Sequence, residues 1–458
     1  MTTMSPVRKM GRLKRPSGQH VLRNRELGLL LFALTITLAA LAIVQFAVLG
    51  QLEPGMLTLV MGVMSLIVVF HVVLRFTAPQ ADAIMVPVAA LLNGLGIVEI
   101  YRIDLANKVE GWDALSVKQC AWTALALVVS TVAILLVRQH RVLQRYTYTS
   151  GLVAVVLLLL PMLPGIGIEV NGARVWIQIA GLTFQPGEVA KIALAIFFAG
   201  YLVQHRESLS MVGRQVFGMR LPRGRDLGPI VAVWVLSMSV IVFQRDLGTG
   251  LLYFGLFLVM LYAATGRASW VGLGVGLFVA GAVAANFVLG YVNDRFANWY
   301  DAFNEDRYNE IGGSYQLVQG LFGLAHGGVI GTGLGQGLPY ITPVSQSDYI
   351  VASLGEELGL AGLFAILCLY MILTTRGLRI GYIASDEFSK LLATGLAFVI
   401  ALQCFIVIGG VTRVIPLTGL TTPFLAAGGS SLVANWIIIA LLLRLSDAAR
   451  SRTRLVVA

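Results

Sequence analysis

Residues 28–49 read GLLLFALTITLAALAIVQFAVL, twenty-two positions without a charge. A helix needs about 20 apolar residues to cross a bilayer, so this run is long enough to span and reads as a retained anchor rather than a cleaved signal. The apolar residues are continuous rather than alternating, which favours a helix over a barrel strand. Working outward, comparable runs lie near 55–76, 83–101, 119–137, 147–164, 186–204, 228–243, 249–264, 269–291, 349–374, 389–410 and 430–446. The shortest pair, 228–243 and 249–264, is split by Gln244-Arg245-Asp246-Leu247-Gly248. The expected fold is an all-α polytopic membrane protein with about 12 transmembrane helices.

Composition agrees. The 458 residues are 57% hydrophobic and only 12% charged, about half the charge of a soluble domain. Fifty glycines suit helices that approach one another closely in lipid. A soluble enzyme, a coiled coil and a disordered chain are excluded. Cys120, Cys368 and Cys404 are scattered, with neither disulfide nor metal spacing.

Charge sets the expected orientation. With a cytoplasmic N-terminus, cytoplasmic segments hold 24 of the 33 Lys and Arg, and basic residues accumulate on that side. The nine left over are Arg102, Lys108, Lys118, Arg174, Lys191, Arg245, Arg295, Arg307 and Arg413. Both termini are therefore expected inside, and the net charge of +10 reads as an orientation signal matched to anionic membrane lipids. Nucleic acid is not needed to explain it. Segments 165–185, 292–348 and 411–429 then face outward. The second is the longest and holds Asp294, Asp301, Glu305, Asp306 and Glu310; long ordered loops are usually functional.

Three outer stretches could carry chemistry. Gln185-Pro186-Gly187-Glu188 opens a span with proline at a helix start, and Glu188 and Lys191 share a face at i, i+3. Ionisable groups within a span are costly and face a cavity or a partner. Lys191 therefore either meets an anionic headgroup with Glu188 holding it, or the two neutralise each other. Arg174 and Trp176 are either a phosphate-gripping arginine beside an aromatic or an interfacial anchor. The acidic stretch 294–310 is either a general base or divalent-cation site, or a solvated loop. Tyr315 to Leu324 has an apolar helical face too short to span. The glycines 331, 333, 335 and 337 follow no strand, so they are read as a tight backbone path rather than a phosphate loop. His326 receives no role.

Taken together, the segments 171–177, 184–191, 246–249, 313–316, 331–337, 348–359 and 415–431 resemble, in order, the SEDS family (shape, elongation, division and sporulation) of bacterial cell-wall polymerases. That family includes RodA and FtsW. The resemblance covers about 83 to 446 and implies a 10-span core. Residues 28–78 then read as an additional N-terminal two-helix hairpin, 79–446 as the polymerase core with its large extracellular loop 292–348, and 1–27 and 447–458 as basic cytoplasmic tails. Packing, membrane targeting or a partner surface is expected of the hairpin, rather than chemistry.

The resemblance implies a peptidoglycan glycosyltransferase that polymerises lipid II (undecaprenyl-pyrophosphate-linked disaccharide peptide) at the outer face of the plasma membrane, for cell elongation and shape. It further implies a divalent cation, Mg2+ or Mn2+, and a class B penicillin-binding protein transpeptidase as partner. The implied catalytic residues are Asp306, Glu305 and Asp301, with Asp306 as base and metal ligand. The implied substrate contacts are Arg174, Glu188, Lys191, Gln185, Tyr315 and Gln316. Ala302 and Arg307 stand where the family carries prolines, and the spacer after Asp301 is one residue longer; the catalytic Asp then maps to Asp306, while a gapless register puts Glu305 in its place. Ala426-Ala427 replace the usual Ser-Tyr. A flippase of the lipid-linked precursor is the rival reading; it would need charges spread through the membrane depth and alternating access.

Overall fold

In the computed structural model, residues 17–139, 141–170, 172–179, 182–210, 215–216, 219–220 and 228–457 are described. Most of the basic tail expected at 1–27, and much of the cytoplasmic loop 206–225, lie outside them. Sixteen helices are seen among the described residues: α1 Ser17–Leu49, α2 Pro54–Thr77, α3 Met85–Asn107, α4 Leu115–Leu136, α5 Arg141–Arg145, α6 Thr147–Leu159, α7 Pro186–Ser210, α8 Gly228–Ser239, α9 Leu247–Thr265, α10 Ala268–Val288, α11 Gly290–Tyr300, α12 Glu305–Asn309, α13 Tyr315–Gly327, α14 Ile350–Ile383, α15 Glu387–Val411 and α16 Gly429–Val457. Ten of these (α1 to α4, α7, α9, α10 and α14 to α16) are long and apolar enough to cross a membrane, and shorter apolar helices cover Thr147–Met162 and Val231–Gln244. The protein is a multi-pass, mostly helical membrane protein. The basic tail expected from 447 onward continues α16 as helix.

The centre is built on α3 and α16, whose described side chains are mostly buried. Trp436 of α16 is fully buried between Phe70 of α2 and Phe424, with ring centroids 5.9 Å apart in both edge-on pairs. Its indole donates to Asn93 Oδ1 of α3 at 3.3 Å, and Asn93 in turn donates to Thr123 of α4 at 3.2 Å. Such polar pairs knit helices where lipid offers no hydrophobic drive for association.

The first two helices pack mainly against the rest of the bundle. α1 lies along α3 and α2 along α4, with little contact between α1 and α2. Gly94 permits the first approach: a Cβ there would sit 2.2 Å from Thr37 Oγ1 of α1.

Segment 165–185, expected only as an outer connection, folds as an antiparallel sheet of β1 Gly167–Val170, β2 Ala173–Ile179 and β3 Leu182–Phe184. Val175 and Ile177 point inward while Arg174 points out, the period-two alternation of a strand with one buried face. Gly172, just before β2, adopts φ 78°, a conformation glycine takes without steric cost. The break at 244–248 is real: a π-helical turn over Val240–Gln244 ends at Arg245, which adopts φ 57°. α14 is also broken, at Gly359 (φ 67°, ψ −174°), leaving a half-helix over 350–358.

Candidate active site

Four helices begin around one cavity of about 500 Å³. Gln185 precedes α7, Asp246 caps α9, Asp348 and Tyr349 precede α14, and Ala427 precedes α16; all five line it. Helix N-termini present unpaired N–H groups and partial positive charge, which together attract anions. Arg245 and Arg295 add two full charges to the same wall. The charge rule applied to the sequence expects these helix starts at the outer face.

Each wall is held by specific bonds. Asp246 accepts the Thr249 amide at 2.9 Å and the Thr249 hydroxyl, a helix cap. Burial pushes its carboxyl above the ordinary range, and the Thr249 hydrogen bonds and Arg295 oppose that shift. Asp348 is pushed up likewise by burial, against the Ser347 hydroxyl and Arg295. Arg295 of α11 donates to the Leu417 carbonyl at 2.7 Å. A Cβ built on Gly419 would lie 4.0 Å from Arg295 Nη1 and Nη2 and from Asp348 Oδ2, so guanidinium and carboxylate converge on the same space. Arg413 clamps 411–420 to α11 by donating to the carbonyls of Trp299 and Tyr300, each at 2.7 Å.

The residues singled out in the sequence divide into three groups. Gln185 and Gln316 line the cavity; the Gln185 amide donates to Ser430 Oγ at 2.9 Å and the Gln316 side chain to the Pro343 carbonyl at 2.7 Å. Glu188 and Lys191 do not line it. Lys191 is 1% exposed, and its ammonium donates to Glu188 (2.5 Å), Gln403 (2.8 Å) and Asn435 (3.1 Å). All three of its protons are used, and this lysine ties α7 to α15 and α16. Arg174 also lies outside the cavity lining. Its side chain is 64% exposed and pairs with Glu169 at 2.9 Å, while the adjoining Ala173, Val175 and Trp176 face the cavity.

The third group stands at the rim. Asp301, Glu305 and Asp306 are exposed and do not line the cavity. Asn304 caps α12 by accepting the Asp306 and Arg307 amides, and its own amide donates to Asp301 Oδ2 at 3.0 Å. The α12 turn joins the cavity wall through Gly312 and Gly313: Ser314 donates its amide to the Arg307 carbonyl at 3.0 Å, and Gly313 donates to that of Glu310 at 3.0 Å. Tyr315 is exposed, its ring 5.2 Å from that of Tyr308. No group of three or more His, Cys, Asp or Glu that could hold a metal ion occurs among the described residues.

Arg245, Asp246, Arg295 and Asp348 were not singled out as site residues from the sequence. Arg245 and Asp246 interrupt an apolar stretch, and ionisable groups there signal function. Arg245 and Arg295 are also among the nine cations the orientation rule left over.

The family profile described as cell cycle protein (FTSW_RODA_SPOVE) matches residues 82–451. The chain is 46% identical over 436 residues to a Mycobacterium bovis protein named peptidoglycan glycosyltransferase RodA, covering 94% of this chain and 92% of the relative. It is 34% identical over 300 residues to stage V sporulation protein E of Bacillus subtilis, covering 64% of this chain and 77% of the relative. Among solved structures, Thermus thermophilus rod shape determining protein RodA aligns with a TM-score of 0.56 at 24% identity, over 80% of this chain and 96% of that one. A chain from a structure titled as coordinating polymerization and crosslinking by a peptidoglycan synthase complex aligns with a TM-score of 0.62 at 23% identity, over 81% and 98%.

Proposed function

The chain belongs to the FtsW/RodA/SpoVE family and is a peptidoglycan glycosyltransferase; from that premise we propose that it polymerises lipid II at the outer face of the plasma membrane, with the headgroup seated in the cavity of Arg245 and Arg295. One observation carries this reading: four helix N-termini and two guanidiniums surround a single space of about 500 Å³, a site suited to a pyrophosphate.

In the proposed reaction the acceptor sugar's 4-hydroxyl attacks the anomeric carbon of the donor. The new C–O bond forms as the bond to the lipid pyrophosphate breaks. The hydroxyl proton passes to a carboxylate within hydrogen-bond reach, which we assign to Asp306 at the rim. The departing pyrophosphate gains charge, and Arg245, Arg295 and the helix starts stabilise it without reorganising. The polyprenyl tails remain in the bilayer while the sugars meet at its surface. The Mg2+ or Mn2+ ion that the family resemblance implies would be held by Asp306 and would supply charge stabilisation to the departing pyrophosphate. A class B penicillin-binding protein is the proposed partner, as the family resemblance implies.

Purified protein incubated with lipid II in detergent, and separately in vesicles, tests this. Glycan polymer is the expected product. Precursor translocated across vesicles with no polymer formed would favour the flippase reading.

A further inference from the structure

The added helices α1 and α2 lie outside the matched stretch 82–451, yet the outer end of α1 abuts the core beside the glycine-rich segment. Gly335 (φ 84°) sits so close that a Cβ on it would lie 2.8 Å from Ala47 Cβ and 3.5 Å from Val44 Cα. The turn after α1 is pinned from both sides. Gln45, fully buried, donates to the Glu53 carbonyl and accepts the Glu53 amide, each at 3.2 Å, and the Tyr101 hydroxyl donates to the Glu53 carboxylate. The next residue of α3, Arg102, donates to Glu357 Oε1 at 3.0 Å and to the Gly337 carbonyl at 2.7 Å.

The glycine-rich segment is bonded in turn to the half-helix 350–358. Gly335 donates to Glu357 Oε2 at 2.8 Å and Gly337 to Glu357 Oε1 at 3.2 Å. Thr332 and Gly333 donate to the carbonyls of Glu356 and Glu357, each at 2.9 Å. That half-helix ends at the Gly359 break and carries Asp348 and Tyr349 of the cavity wall immediately before its start. Packed interiors transmit displacement rather than absorb it.

We propose that α1 and the turn 50–54 are positioning elements for the reaction: by fixing Gly335 they fix the half-helix 350–358, and so the Asp348 wall of the cavity. The proposal rests on the cavity being the donor site.

Ala47→Trp tests it, because the Ala47 Cβ faces Gly335, with Phe46→Trp as control, since Phe46 is likewise exposed but is not among the atoms nearest Gly335. The apparent KM for lipid II should rise on the order of tenfold in Ala47→Trp, with kcat and the melting temperature little changed, while Phe46→Trp matches wild type. Glu53→Gln loosens the same joint without added bulk and should shift KM in the same direction by less, including in the case where Ala47→Trp fails to insert. Wild-type KM in both variants, or a loss of kcat that follows a lowered melting temperature, overturns the proposal. Arg245→Gln in the same assay separates the two readings, because Arg245 lines the cavity as a proposed headgroup contact. If its KM is normal, the cavity reading itself fails; if it is impaired while both α1 variants behave as wild type, only the role of α1 fails.

Discussion

The guanidinium of Arg102 and the carboxylate of Glu357, 255 residues apart, meet at 3.0 Å in the protein interior, with Glu357 fully enclosed. The pair joins α3 to α14, and the amides of Gly335 and Gly337 complete the carboxylate's bonding. Removing one partner of a buried pair leaves the other charge uncompensated and costs about 3 to 5 kcal/mol. Arg102→Ala should therefore lower the melting temperature in detergent sharply. Arg102→Lys should recover only part of the loss, since an ammonium lacks the fork that reaches both Glu357 and Gly337. Wild-type melting in Arg102→Ala would show that the pair contributes nothing to the fold.

Lys191 should behave as a structural cation. Lys191→Met strands Glu188 without its counter-charge and should destabilise by about 3 kcal/mol or more. Adding Glu188→Gln should restore much of that stability. A double-mutant cycle in thermal melts measures this, and additive losses in the two single variants would contradict the coupling.

Asp348 supplies a dependence on pH. Burial raises its carboxyl above the ordinary value of 3.8, so the folded chain holds this proton more tightly than the unfolded chain. The sign follows: the contribution is complete below the ordinary value and is lost as pH rises through the raised one. Asp246 contributes in the same direction. Asp348→Asn cannot ionise, so its melting temperature relative to wild type should climb as pH increases from about 4 to about 7. A difference that stays constant, or falls, rules out a raised Asp348.

The helices were legible because unbroken apolar runs have one solution in lipid, and the broken pair around Gln244–Gly248 was visible as an interruption. The cations carry more information than orientation alone. Of the nine that orientation left over, Arg102, Arg174, Lys191, Arg307 and Arg413 each bind an acid or a carbonyl, and Arg245 and Arg295 line the cavity. What the sequence concealed was partnership. The spacing of Glu188 and Lys191 is the same whether the lysine faces substrate or is sealed by Gln403 and Asn435, and those partners come from helices more than 200 residues away. Asp246 and Asp348 were quoted within motifs, but nothing local reveals that both reach one cavity. The sheet at 167–184 was missed because apolar content was weighed over the Asn-Gly pair and the alternation around Arg174.

The central claim is that Asp306 takes the acceptor proton beside a cavity that holds the donor. Lipid II polymerisation by the Asp306→Asn variant, compared with wild type and Glu305→Gln at matched melting temperature, addresses it most directly. The account predicts no polymer from Asp306→Asn, a milder loss from Glu305→Gln, and unchanged folding in both, since neither side chain is buried. Polymer from Asp306→Asn with none from Glu305→Gln would move the base by one residue, and full activity in both would contradict a catalytic role for this rim.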